Sequence, residues 1–179
     1  MRRFQWLSLA LLLLPALAWA KESIPQVGQV APAFRLQDQH GQWQSLSAYH
    51  GQWVVLYFYP KDFTPGCTTE VCKYRDAYLA IRKERAQVLA ISLDNVKSHA
   101  AFAEKYHAPF PMLADTGHVV AREYGVLTSI LWMKYAARTT FIIAPDGRIA
   151  QVFTGVNPAK NSQQVLAALP KLQANYHKA

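Results

Sequence analysis

The sequence predicts an α/β domain, with a central mixed sheet flanked by helices. Three observations carry this reading. Residues 53–59 (WVVLYFY), 87–93 (QVLAISL) and 139–144 (TTFIIA) are nearly unbroken apolar, β-branched and aromatic runs, the pattern of strands buried on both faces. Segments with apolar residues three and four apart follow the first and second runs. The chain then closes with a turn-linked strand pair and a helix. Alternation of this kind folds as a sheet with helices packed on its faces.

The elements follow in order. Residues 1–20 read as an export signal. Arg2 and Arg3 precede an apolar stretch over 6–17, and Ala18 and Ala20 supply the small residues of a cleavage site. The stretch is shorter than the ~20 residues of a membrane span. The expectation is therefore a cleaved, exported and periplasmic protein, with an uncleaved anchor as the alternative and no stable membrane insertion once the signal is removed. Residues 21–179 form the single remaining domain.

Residues 23–32 are a lead-in containing proline and glycine. Residues 34–36 and 43–46 resemble short strands around the His40-Gly41 turn, an N-terminal β-hairpin extension. After the first buried run, residues 68–85 read as a helix with Val71, Tyr74, Tyr78 and Ile81 on one face and Arg82, Lys83 and Arg85 at its end. Residues 96–106 form a second helix, capped by Asn95 and stopped by Pro109 and Pro111. Residues 112–114 suit a short strand, and residues 118–124 a short helix ending at Gly125. Residues 127–137 read as an apolar loop. Pro145-Asp146-Gly147 turns the third buried run into a strand over 148–153, and residues 161–176 close the chain as a helix with Val165, Leu166, Leu169 and Leu172 inward.

Composition narrows the function. The chain has 179 residues, 51% of them hydrophobic, a size and composition that suit one domain with a real core. Two cysteines exclude a disulfide-rich scaffold and a four-thiolate zinc site. Cutting after Ala20 removes Arg2 and Arg3 and lowers the net charge from +8 to +6. No basic stripe with interleaved aromatics is present, so a nucleic-acid partner is not expected.

In open α/β sheets the reactive groups lie beyond the carboxyl ends of strands. Here that place holds Pro60, Thr64, Pro65, Gly66 and Cys67. Cys67 falls in the opening turn of the predicted helix, where unpaired amides favour an anionic sulfur. Thr64 supplies a short hydroxyl for a small polar substrate. Cys72 lies five residues further on. In an intact helix that is ~7.5 Å of rise and ~140° of rotation, too far for a disulfide without local unwinding. The spacing suits a switch better than a static staple. A structural disulfide, thiol–disulfide exchange, or a copper site of two thiolates and a histidine remain alternatives. The histidines are scattered, and each reads as a solvated surface residue.

The stretch Tyr57-Phe58-Tyr59-Pro60-Lys61-Asp62-Phe63-Thr64-Pro65-Gly66-Cys67-Thr68 resembles the active-site signature of the peroxiredoxins. The second cysteine five residues later is similar to the bacterioferritin-comigratory-protein, or peroxiredoxin Q, subgroup. The segments Ser92-Leu93-Asp94-Asn95, Phe110-Pro111-Met112-Leu113-Ala114-Asp115 and Arg138-Thr139-Thr140-Phe141-Ile142-Ile143 extend the likeness. The resemblance implies a thioredoxin-like fold and a thiol-dependent peroxidase acting on hydrogen peroxide and alkyl hydroperoxides. Cys67 matches the peroxidatic cysteine and Cys72 the resolving one. Thr64 matches the threonine that binds the peroxide, Pro60 the proline that shields the pocket, and Arg138 the arginine that orients substrate and steadies the thiolate. The resemblance implies no cofactor and no metal, and a thioredoxin-like dithiol reductant as partner. A pair on one helix needs no second subunit, so a monomer is expected.

Overall fold

Strand β3 (Trp53–Phe58) is buried along its whole length, which puts it in the interior of the sheet. The computed structural model describes residues 23–176; the expected signal at residues 1–20 lies outside them. Before β3 come β1 (Arg35–Gln37), β2 (Trp43–Ser45) and a 3₁₀ turn (Leu46–Tyr49). After it come α1 (Pro65–Lys83), β4 (Ala86–Ser92), α2 (Val96–Tyr106), β5 (Met112–Ala114) and α3 (Val119–Glu123). The chain ends with β6 (Leu127–Ile130), β7 (Met133–Ala136), β8 (Thr139–Ile143), β9 (Ile149–Thr154) and α4 (Asn161–Tyr176).

Seven strands form the main sheet in the order β2-β1-β5-β4-β3-β8-β9. β3 pairs in parallel with β4 and antiparallel with β8, so the sheet is mixed at its centre. The two crossover helices α1 and α2 join parallel neighbours, as such connections require. The N-terminal hairpin is no detached extension, because Gln37 of β1 pairs with Ala114 of β5 and continues the sheet.

The period-two alternation of β3 divides the core. Trp53, Val55 and Tyr57 face a layer containing Val71 and Tyr74 of α1, Phe102 of α2, and Val165 and Leu169 of α4. Val54, Leu56 and Phe58 face the other layer, with Val120 and Ala121 of α3, Tyr124 just past its end, and the N-terminal Ala31 and Phe34. One polar junction locks the first layer. Asn161 Oδ1, fully buried, accepts hydrogen bonds from the Tyr74 and Thr140 hydroxyls, tying α1, β8 and α4 together.

Three local expectations are corrected. α1 begins at Pro65, three residues earlier than its apolar periodicity indicates. Proline at the first helical position has no N–H to leave unpaired and a preset φ, so the turn that reads as loop is helical. Residues 127–137 are a two-stranded hairpin, β6 against β7, and no irregular loop. Its tip is open to solvent, with Leu131 and Trp132 78% and 83% exposed. His99 is wholly buried, against the expectation that every histidine is solvated. It shares the inner face of α2 with Phe102 and Ala103, three and four residues on, and that spacing was the available signal.

Candidate active site

β3 ends at Phe58 and α1 starts at Pro65, so six residues carry the chain from sheet to helix. Thr64 is the extended residue before the helix. Its carbonyl accepts the first helical bond from Thr68 N (2.9 Å). Its hydroxyl makes no capping bond and donates instead to Lys61 O (3.0 Å). With its proton engaged there, the Thr64 oxygen faces any incoming group as an acceptor.

Cys67 is the third residue of α1. The amides of Gly66 and Cys67 have no carbonyl four residues back inside the helix, and with the helix dipole they create positive potential at this end. The Cys67 side chain is buried, with 1% of its surface exposed. Arg138 Nη2 donates to Cys67 Sγ at 3.1 Å. Arg138 sits between β7 and β8, and pairing of β8 with β3 carries it across the sheet toward the helix start. The structure thus brings together two predicted residues 71 positions apart.

The other Arg138 nitrogen, Nη1, donates to Glu70 Oε2. Glu70 is buried, and its Oε1 has no hydrogen-bond partner among the described residues. Burial pushes the Glu70 carboxyl up to about 7, and the Arg138 charge and hydrogen bond only partly oppose that rise. Glu70 was not singled out from the sequence. The signal was available: it stands on the stripe with Cys67, Val71 and Tyr74 that α1 turns inward. A carboxylate on a buried stripe requires a partner, and Arg138 is that partner.

Gly66 makes room for this arrangement. A Cβ there would lie 2.7 Å from Arg138 Nη2. Pro60, half-buried just past β3, lines a groove of about 480 Å³ with Lys61, Ile130, Met133, Lys134 and Tyr135. Cys72 is half-buried against the first core layer. Both cysteines are free thiols. Thus Cys67, Arg138 and Glu70 form one contiguous cluster, Thr64 opens the helix that carries Cys67 and Glu70, and Cys72 is about 1.4 turns further along it. Among the described residues no three of histidine, cysteine, aspartate and glutamate converge as a metal set would.

The arrangement suits attack by the Cys67 sulfur. The guanidinium and the first-turn amides favour a negative charge on sulfur and on an oxygen leaving beside it.

Comparison with known proteins points the same way. The model of the AhpC/TSA family matches residues 27–152. The chain is 41% identical over 146 residues to the chloroplastic peroxiredoxin Q of Triticum aestivum, covering 81% of this chain and 67% of that protein. Its structure is similar to that of peroxidoxin BcpB from Mycobacterium tuberculosis, with a TM-score of 0.77 and 34% identity over 82% of this chain and 97% of the other. It is also similar to the bacterioferritin comigratory protein of Xanthomonas campestris, studied for alkyl peroxide reduction, with a TM-score of 0.73 and 34% identity over 77% and 90% of the two chains.

Proposed function

The chain belongs to the AhpC/TSA family and is a peroxiredoxin, a thiol-dependent peroxidase with a thioredoxin-like fold, and on that premise we propose that Cys67 is the attacking sulfur and Cys72 the resolving thiol. The observation that carries the assignment is the 3.1 Å bond from Arg138 Nη2 to Cys67 Sγ in the first turn of α1.

The Cys67 thiolate attacks the nearer oxygen of hydrogen peroxide or an alkyl hydroperoxide. An S–O bond forms as the O–O bond breaks, and the leaving oxygen takes up a proton and departs as water or alcohol. Thr64 accepts a hydrogen bond from the hydroperoxide O–H. Arg138 stabilises the charge growing on the leaving oxygen, and Pro60 shields the sulfur from bulk water.

Cys67 is now a sulfenic acid. The start of α1 unwinds, the Cys72 sulfur attacks Cys67 Sγ, and water leaves as the disulfide forms. A dithiol reductant returns both thiols by exchange, giving up two electrons and two protons and becoming a disulfide itself. We assign that reductant to the thioredoxin-like class, because a one-for-one dithiol exchange is what the pair needs. The signal-like residues 1–20 support an exported, periplasmic enzyme. The presence of both cysteines on one helix supports a monomer.

Stopped-flow mixing of the reduced protein with hydrogen peroxide tests the assignment. Wild type and Cys72→Ser should lose the Cys67 thiol at equal, fast rates, with only Cys72→Ser halting at the sulfenic acid. Cys67→Ser should not react. Loss no faster than that of a free cysteine would end this reading.

A further inference from the structure

We propose that Asp62, held by His99, is a positioning residue that fixes the loop before Cys67 for reaction with peroxide and marks where unwinding of the helix start begins. The inference rests on the assignment of Cys67 and Cys72 above and adds a control on the balance between their two steps.

The Asp62 carboxylate is enclosed by protein, its side chain 1% exposed. Oδ1 accepts from the Tyr59 hydroxyl (2.7 Å). Oδ2 accepts from the Ser98 hydroxyl (2.7 Å) and bonds His99 Nδ1 (2.9 Å). The opposite ring nitrogen, His99 Nε2, lies 3.2 Å from the Leu113 carbonyl, which can only accept. Each ring nitrogen thus meets an oxygen, one on Asp62 and one on Leu113. Burial and the neighbouring Asp62 hold the Tyr59 phenol well above its ordinary range, so it stays a donor. One carboxylate thus binds the end of the β3 run to α2 and, through the ring, to β5.

The Asp62 backbone is held as well. Its N–H donates to Asp94 Oδ2 (2.9 Å), and the Ser92 hydroxyl donates to the same oxygen (2.7 Å). The next residue, Phe63, has φ of 61°, in the left-handed region that bulky residues rarely adopt. Its ring packs edge-on against Phe102 at 5.0 Å. The clamp and this contact together hold a conformation that a free loop would leave.

The position in the chain gives the clamp its consequence. Thr64 lies two residues after Asp62, and Cys67 five. Forming the Cys67–Cys72 bond requires α1 to unwind from its start, and Asp62 is the last residue before that start with a buried, multiply bonded side chain. A tight clamp keeps Thr64 and Cys67 aligned for peroxide. A loose one lets the unwound form become more populated, which slows the first step and speeds the second.

Asp62→Asn tests this, because an amide puts an N–H donor in place of one of the two oxygens that Tyr59, Ser98 and His99 hold. Reduced full-length protein is mixed with hydrogen peroxide, and thiol loss and then disulfide formation are followed separately. The expected result is oxidation slowed about tenfold by misplacement of the reacting groups, with disulfide formation faster than in wild type. Ser98→Ala, which removes one donor only, should shift both rates less in the same directions. His99→Gln keeps a side-chain donor and should recover part of the oxidation rate that His99→Ala loses. Val165→Ala, a core cavity at an α4 residue outside the clamp, should lower the melting temperature and leave both rates unchanged. Unchanged rates in Asp62→Asn, a shift of both in one direction, or the same shifts in Val165→Ala would overturn the clamp while wild-type reactivity stands. A wild-type Cys67 that reacts no faster than free cysteine would overturn the underlying assignment and the clamp with it.

Discussion

Gly66 and Arg138 are matched to each other: a Cβ on residue 66 would stand 2.7 Å from Nη2 of Arg138, the nitrogen that donates to Cys67 Sγ at 3.1 Å. The glycine is needed here for space. The obstructed atom is the far end of a flexible side chain, so a substitution would displace the guanidinium and leave the helix intact.

Gly66→Ala should therefore separate stability from activity. Alanine favours a helix interior by about 0.5–1 kcal/mol over glycine, which offsets part of what a displaced Arg138 costs the buried Glu70, so the melting temperature should change little. Oxidation of Cys67 by hydrogen peroxide should slow at least about tenfold, because a shifted donor no longer meets the reacting atoms. A stopped-flow rate equal to wild type would show that the guanidinium tolerates the methyl group.

Arg138→Lys should fail as a conservative replacement. A guanidinium fork reaches Glu70 and Cys67 at once with two nitrogens, whereas an ammonium is a single point of charge. Loss of a preorganised donor of this kind costs about a hundredfold or more in rate. The measurement is the second-order rate of Cys67 oxidation, with circular dichroism to verify the fold.

Glu70 predicts a pH dependence of stability. Its carboxyl is raised from 4.5 to about 7 by burial. Below pH 4.5 the folded and unfolded chains both hold the proton. Between 4.5 and about 7 the folded chain keeps a proton that the unfolded chain releases, so rising pH favours unfolding. The melting temperature of wild type relative to Glu70→Gln should fall across that window and level off above it. A flat difference from pH 4.5 to 8 would contradict the buried, raised carboxyl.

Two tyrosines that stack at 4.4 Å should respond oppositely to loss of their hydroxyls. The Tyr57 hydroxyl is buried with no hydrogen-bond partner among the described residues, whereas the Tyr74 hydroxyl donates to Asn161. Tyr57→Phe should be neutral or slightly stabilising. Tyr74→Phe should cost about 1–2 kcal/mol, since it leaves the Asn161 junction short of a donor. Chemical denaturation of the two variants checks the contrast.

Local sequence was enough to place the central strands and the two sulfurs, but not the β6–β7 hairpin. Residues 53–59, 87–93 and 139–144 are nearly unbroken apolar, β-branched and aromatic runs, and burial on both faces is what accommodates such a run, so their place inside the sheet was legible. Asn95 announced the start of α2, and its side chain accepts from Ser98 N as a cap should. The Pro60-to-Cys67 spacing marked the turn on which Cys67 meets Arg138. These features are local, and local chemistry is written along the chain. Tertiary structure decided the partners. Pairing of β3 with β8 brings Arg138 to Cys67, α1 turns Glu70 inward to meet it, and α2 folds His99 onto Asp62. A buried charge has to be matched across space, and its partner stands wherever the sheet register delivers it, 68 residues away for Glu70 and 37 for Asp62.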